Sequence, residues 1–263
     1  MKIHFYKFHG TGNDFVILDN RNMFFKKDMT SLYQFLCDRH FGIGADGVML
    51  FQEKNEYDFE MVYFNADGRE STMCGNGGRC LVQFAEMMIG KKSQYKFLAI
   101  DGEHLAESDG ENIRLKMSDV NSASRYLAYY ELNTGSPHYV AFVEKVEAVP
   151  VKKEGAEIRY SEKYKTEGIN VNFVQRNNDG IIMRTYERGV EDETLSCGTG
   201  VTAAALMLSN EIHLENGVHI IDVETRGGNL QVKFNKISET EFTDIWLIGP
   251  AVFVFEGQIE LQL

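Results

Sequence analysis

A cysteine followed by glycines and then by an apolar helical pattern occurs twice in this 263-residue chain, once in each half. The first copy reads Met73-Cys74-Gly75-Asn76-Gly77-Gly78-Arg79 and the second Ser196-Cys197-Gly198-Thr199-Gly200. Beyond Gly78, Leu81, Phe84, Ala85, Met88 and Ile89 recur at helical spacing; beyond Gly200, Val201, Ala204, Ala205 and Leu208 do the same. A third helix is predicted near residues 29–39, with Leu32, Phe35 and Leu36 on one face. A chain of this length can bury one long core or two of about 120–130 residues each, and the repeated motif favours two halves with one central helix apiece.

Strands surround those helices. Runs rich in β-branched and aromatic residues lie at 15–18, 48–51, 59–64, 97–100, 113–117, 139–142, 172–174, 181–185, 219–223, 230–234 and 245–248. Asp101-Gly102, Asp109-Gly110, Asp179-Gly180 and Gly227-Gly228 punctuate them as turns, so hairpins dominate and the sheets are expected to be largely antiparallel. Three prolines and no low-complexity tract leave little to mark a boundary. The switch is placed near residues 117–120, giving an N-terminal domain of 1–118 and a C-terminal domain of 119–250, with a last strand over 251–263 returning to the first domain.

A net charge of −12 argues against nucleic acid and anionic lipid as partners, because phosphate backbones need a dense basic face. Four cysteines are too few for a disulfide framework in a chain this long, which points to a reducing compartment. Met1-Lys2-Ile3-His4-Phe5-Tyr6-Lys7 holds no uninterrupted apolar h-region, and no stretch approaches the roughly 18 apolar residues of a spanning helix. The expected location is the cytoplasm, with no membrane partner.

The chemistry concentrates at the two cysteines. A thiol just before a helix start lies near the positive end of the peptide dipoles, where a thiolate is stabilised. Buried cysteines also serve as small hydrophobes, and that role suits Cys37, which follows an apolar helix, and Cys80, spaced with Phe84. Cys74 and Cys197 differ because a glycine follows each, leaving backbone N–H groups open to a ligand. If the two helix starts share one ligand, its carboxylate can accept N–H bonds from both turns while the sulfurs flank the adjoining carbon. A thiolate then acts as base on one face and a thiol as acid on the other.

Rival motifs are weaker. Gly42-Ile43-Gly44-Ala45-Asp46-Gly47 matches G-x-G-x-x-G but follows a helix and precedes a strand, the reverse of a dinucleotide site. Gly198-Thr199-Gly200-Val201-Thr202-Ala203 precedes a helix with Asp222 roughly 20 residues on, yet acidic Glu191-Asp192-Glu193-Thr194 stands where a buried strand should feed it. Cys74 and Cys80 are too far apart for a zinc pair, His213 and His219 read as surface or strand residues, and no G-x-S-x-G elbow occurs. Asn13, Asn65 and Asn170, each where a turn meets a strand, suit either ligand contacts or ordinary turn roles. Arg188 in Glu187-Arg188-Gly189 suits either a bidentate clamp on a second carboxylate or a surface ion pair.

Taken together, Phe8-His9-Gly10-Thr11-Gly12-Asn13-Asp14-Phe15, the Gly42–Gly47 hexapeptide, Phe64-Asn65-Ala66-Asp67-Gly68, Met73 to Cys80, Pro137-His138, Glu187-Arg188-Gly189 and Ser196 to Gly200 make the chain resemble the diaminopimelate epimerase family. That resemblance implies an α+β fold of two pseudo-symmetric domains, each a mixed, largely antiparallel sheet curled around a central helix, with the active site in the cleft between them. It also implies epimerisation of L,L- and meso-diaminopimelate without cofactor or metal, with Cys74 and Cys197 as the acid–base pair. Substrate contacts carry over to Asn13, Asn65, Asn170, Glu187 and Arg188, with backbone donors at Gly75, Asn76, Gly198 and Thr199. His138 and Glu187 fall where the family has groups assisting near the reacting centre. The expected partner is a small molecule, and a homodimer is compatible with the sequence.

Three departures from the family pattern stand out. Ser136 replaces an expected Asn before Pro137-His138, Asn172 replaces a usual Gly, and the Glu187-to-Cys197 segment is one residue longer. Two other readings share the features: a proline racemase-like enzyme, which would carry His rather than Asn76 after Cys-Gly, and a catalytically silent amino-acid-binding protein, against which retention of both cysteines argues.

Overall fold

Both cysteine motifs open a helix, and each helix begins directly after its cysteine, at Gly75 and Gly198, ahead of the apolar repeats read from Gly78 and Gly200. The computed structural model of the chain describes residues 2–178 and 180–260, so Asp179 of one predicted turn and the end of the 251–263 strand lie outside the described residues. In chain order the elements are β1 (Lys2–Gly10), β2 (Asn13–Asp19), α1 (Thr30–Cys37), β3 (Gly47–Gln52), β4 (Phe59–Asn65), α2 (Gly75–Ile89), β5 (Gln94–Ala99), β6 (Gly102–Ser108) and β7 (Ile113–Lys116). There follow β8 (Ala123–Arg125), β9 (Tyr130–Asn133), β10 (Pro137–Phe142), α3 (Val151–Arg159), β11 (Asn170–Arg176), β12 (Gly180–Glu187), β13 (Asp192–Thr194) and α4 (Gly198–Glu211). The chain ends through β14 (Gly217–Thr225), β15 (Gly228–Lys236), β16 (Phe242–Gly249) and β17 (Val252–Glu260). It divides into two compact units, one of Met1–Leu115 with Pro250–Leu263 and the other of Lys116–Gly249.

The first unit pairs its strands in the order β17, β1, β2, β3, β4, β5, β6, β7. Successive pairings run antiparallel, antiparallel, parallel, antiparallel, parallel, antiparallel and antiparallel. The second unit pairs β8, β9, β10, β11, β12, β14, β15 and β16 with the same succession of directions, β13 adding to β12. In each unit the two parallel pairs are joined by crossovers, which are the helices: α1 and α2 in the first, α3 and α4 in the second. The mixed, mainly antiparallel sheet around a central helix is thus present in each unit.

The central helices are buried because their glycines and alanines let strands approach from several sides. Helix α4 touches strands β9 to β12 and β14 to β16, and every residue from Gly200 to Asn210 is buried, as expected of a helix apolar all round. Helix α2 packs on β1, β2, β3, β4 and β17. At Gly77 a Cβ would lie 1.8 Å from Met49 Cε, so glycine here is a packing requirement. The apolar core of the second unit gathers Val201, Leu206, Val223, Val232, Phe234 and Leu247 among others; that of the first includes Val16, Leu18, Leu36, Leu50 and Phe64.

Strands β1, β6, β8 and β9 lie outside the predicted strand runs, and two further elements depart from the sequence expectation. Helix α3 is unpredicted because its apolar face is thin; it holds by packing on Val171 and Tyr186, with Gly155 so close that a Cβ would sit 2.4 Å from Tyr186 Cβ. The acidic stretch before Cys197 contains the short strand β13 rather than no strand at all, half-buried and antiparallel to β12. That antiparallel entry still differs from the parallel βαβ unit a dinucleotide site requires.

Candidate active site

Cys74 is the N-cap of α2, extended at φ −105° and ψ 125°, and its carbonyl accepts the first intrahelical bond from Gly78 N at 2.7 Å. Its half-buried Sγ donates to Asn13 Oδ1 at 3.5 Å. Asn76 Nδ2 reaches the same oxygen at 3.4 Å, while Asn13 Nδ2 donates to Asp46 Oδ2 at 2.7 Å. A carboxylate can only accept, so Asp46 turns the amide nitrogen of Asn13 toward itself and leaves the oxygen facing the thiol. Asp46 is in turn bound by Arg39, whose Nη2 is 2.8 Å from Oδ1. The Gly42–Gly47 hexapeptide is therefore a support for Asn13.

Arg79, to which the sequence analysis gives no role, is one of the largest fully buried side chains among the described residues. Its Nη2 donates to Asn76 Oδ1 at 2.9 Å and to Thr11 Oγ1 at 3.3 Å, and its other nitrogens face the carbonyls of Gly75 and Pro250, both at 3.4 Å. Burial lowers its pKa, yet guanidinium starts so high that it stays charged. A buried cation thus sits against the first turn of α2. Its sequence signal is that it is the one basic residue of a helix whose neighbouring positions are largely apolar or glycine. Asn65, at the exposed end of β4, stands apart from this cluster; its backbone closes a turn with Gly68 and Arg69.

In the second unit Cys197 is the buried N-cap of α4, extended at φ −116° and ψ 110°. Its Sγ lies 3.5 Å from Thr199 Oγ1, a hydroxyl able to donate or accept. Thr134 Oγ1 holds the carbonyl of Thr199 at 2.8 Å, and Thr202 Oγ1 that of Gly198 at 3.0 Å, so the first turn of the helix is tied down from both sides.

The remaining predicted residues fall at strand ends of that unit. Asn170 opens β11 and uses its whole carboxamide: Nδ2 donates to Ser136 Oγ at 2.9 Å and to the Pro137 carbonyl at 3.1 Å, and Oδ1 accepts from Arg188 N at 2.9 Å. Arg188, exposed just beyond β12, donates to the Glu167 carbonyl at 2.9 Å and to Ser136 Oγ at 3.3 Å. Ser136 thus links Asn170 with Arg188. Glu187 ends β12, and its Oε2 accepts from Thr194 Oγ1 at 2.8 Å. His138, on β10 beside Asn170 in register, is fully buried, and its Nδ1 lies 3.1 Å from Asn172 Nδ2. Burial, aided by the charge of Arg188, pushes the imidazole pKa down to about 3.

Cys37 and Cys80 are buried, and burial raises both thiol pKa values, that of Cys37 to about 12. Among the described residues no group of three His, Cys, Asp or Glu side chains is placed to hold a metal ion, and no helix is long and apolar enough to cross a membrane.

The sequence profile of the family described as diaminopimelate epimerase matches residues 5–123 and 130–254. The diaminopimelate epimerase of Flavobacterium psychrophilum is 50% identical, over 97% of this chain and 99% of its own. That of Chlorobaculum tepidum is 40% identical, over 96% and 99%. Among solved structures, a PhzF-family phenazine biosynthesis protein of Bacillus anthracis superposes with a TM-score of 0.78 at 14% identity, covering 99% of this chain and 100% of that one. A probable proline racemase of Agrobacterium radiobacter does so with 0.67 at 14%, covering 99% and 93%. At such identities the likeness shows the fold alone. Because the profile spans both halves and the relatives are alike nearly from end to end, the chain belongs to the diaminopimelate epimerase family.

Proposed function

We propose that this protein interconverts L,L- and meso-diaminopimelate by removing the Cα proton with one cysteine and returning a proton to the opposite face from the other, without a cofactor. The observation that supports the reading most is the placement of Cys74 and Cys197 at the same point of a repeated fold, each the N-cap of the central helix of its unit. At an N-cap a thiolate is favoured by the aligned peptide dipoles, while the N–H groups that open each helix, at Gly75, Asn76, Gly198 and Thr199, suit a carboxylate. Holding that carboxylate stabilises the negative charge that develops beside it when Cα loses its proton. Arg79 adds a buried positive charge behind the first of the two helix starts. Asn13 and Asn65 in one unit, and Asn170, Glu187 and Arg188 in the other, are assigned to the polar groups of the substrate. In a cell the reaction belongs to the cytoplasm, in the formation of lysine and peptidoglycan precursors.

The test is turnover of L,L-diaminopimelate in D2O by the purified protein, followed by NMR and chiral analysis. Deuterium should enter Cα as configuration inverts, with no added cofactor. Either Cys74→Ala or Cys197→Ala should lower inversion by about 10²–10⁴-fold or more, since each direction needs both roles. Near wild-type epimerisation by either variant would exclude the two-thiol mechanism. Proline racemised as fast as diaminopimelate would move the assignment to a proline racemase-like enzyme, and no turnover of either would leave a binding protein.

A further inference from the structure

Asn172 is fully buried, with its side chain beside His138. Its Nδ2 is 2.9 Å from the Tyr139 backbone carbonyl and 3.1 Å from His138 Nδ1, and its Oδ1 accepts from Thr185 Oγ1 at 3.0 Å. Strand register explains these neighbours: Asn172 is opposite Thr185 in the antiparallel pair β11 and β12, and beside Val140 in the parallel pair β10 and β11. The orientation of the amide follows from its partners. A backbone carbonyl can only accept, so the –NH2 must face Tyr139, and its second hydrogen then points to His138 Nδ1.

An imidazole nitrogen that accepts a hydrogen bond carries no hydrogen of its own. With Nδ1 the acceptor, the neutral ring must carry its proton on Nε2. His138 Nε2 is buried and has no hydrogen-bond partner among the described residues. Such an unspent buried donor is a standing cost until something accepts from it. The low pKa of His138 keeps the ring neutral through the physiological range.

We propose that Asn172 is a positioning residue that fixes His138 as the neutral Nε2–H tautomer, so that His138 serves the reaction as a hydrogen-bond donor to an anionic acceptor and not as a base. Its place in turnover rests on the epimerase reading, whereas the tautomer itself does not. Asn172 is held for this task by Thr185 on one side and by the first turn of α4 on the other, where a Cβ on Gly200 would lie 2.5 Å from Asn172 Oδ1.

Long-range proton–nitrogen correlation spectra of the 15N-histidine-labelled full-length protein, recorded without substrate, test the tautomer directly. His138→Gln identifies the resonances. In the wild type, Nδ1 should resonate as a lone-pair nitrogen and Nε2 as a protonated one. Asn172→Asp replaces the donor by an acceptor and should move a proton onto Nδ1; Asn172→Gly, which removes the carboxamide, should give a mixture of tautomers. In turnover assays Asn172→Asp should lose about tenfold or more in kcat with a smaller change in KM. A protonated Nδ1 in the wild type, or a tautomer unchanged in both variants, overturns the proposal, as does a switched tautomer with undiminished kcat. If the spectra behave as expected but the wild type turns over no diaminopimelate, the tautomer assignment stands and the epimerase reading falls.

Discussion

Asp14 lies between two cations of the first unit, with Lys7 Nζ at 2.6 Å and Arg39 Nη2 at 2.7 Å. Partial burial alone would raise its pKa, but hydrogen bonds from Arg39 and Lys7 outweigh that effect and hold it at about 2. A carboxyl depressed in this way stabilises the fold above its ordinary pKa, and the contribution is lost as pH falls through about 2. Asp14→Asn should therefore cost about 1–2 kcal/mol at neutral pH, allowing for screening by solvent, and the gap to wild type should close below roughly pH 4. His138 acts in a higher window. Its folded pKa of about 3 lies below the ordinary 6.5, so the unfolded chain takes up the proton first. Stability is complete above that ordinary value and declines toward pH 3, by on the order of 5 kcal/mol, and His138→Gln should flatten the decline. Denaturant unfolding at several pH values separates the two windows. Thiol reactivity offers another check: iodoacetamide near pH 8 should modify half-buried Cys74 in the native protein and reach Cys37 and Cys80 only after unfolding, as peptide mapping would show. At this scale the sequence disclosed the N-cap cysteines, because glycine next to cysteine at a helix start is a local pattern. It did not disclose Arg79 or the work of Asn172, since their partners Thr11, Pro250, His138 and Thr185 come from distant segments.

Helix α4 enters its unit with Gly200 against Asn172, and this contact couples an element to a side chain. Alanine at a helical position ordinarily gains up to about 1 kcal/mol over glycine. Here the added methyl would overlap an amide oxygen that Thr185 and the two donor bonds of the same group hold in place. Gly200→Ala should therefore destabilise the protein despite its better propensity, and Asn172→Gly in the same chain should restore most of the loss. A double-mutant cycle by denaturant unfolding should show about 1–3 kcal/mol of coupling; additive single effects would mean that the first turn of α4 shifts freely. Elements with strong apolar periodicity were legible, including α1 and the central helices. Helix α3 was not, because Val151, Ala156 and Ile158 are its whole apolar signal and its stability comes from packing under Gly155. Strand β13 was hidden by its charges: Glu193 pairs with Arg184 at 2.6 Å, a tertiary contact that composition does not announce.

Across the whole chain, the same succession of strand pairings in both units makes the fold a duplication with one offset: the first strand of the first unit's series is supplied by the last segment of the chain. Turn residues made the hairpins legible, but parallel pairs such as β2 with β3 and β10 with β11 are set by crossovers, and nothing local in a strand names a parallel neighbour. The offset has an energetic consequence. Strand β17 covers β1 along nearly its full length, from Lys2 opposite Glu260 to His9 opposite Val252, and Phe253 packs on Phe8 at 5.3 Å between ring centroids. Pro250 also supplies a carbonyl to buried Arg79. Truncation after Gly249 would therefore strip β1 of one whole ladder, leave a long apolar edge and remove an acceptor from a buried charge. The second unit, by contrast, keeps every strand from β8 to β16. Amide exchange on the truncated chain should show lost protection in β1, β2 and α2 and retained protection in β11, β12 and α4. Loss of protection throughout would show that the second unit depends on the first for its stability, and that the duplicated halves do not fold as separate cooperative units.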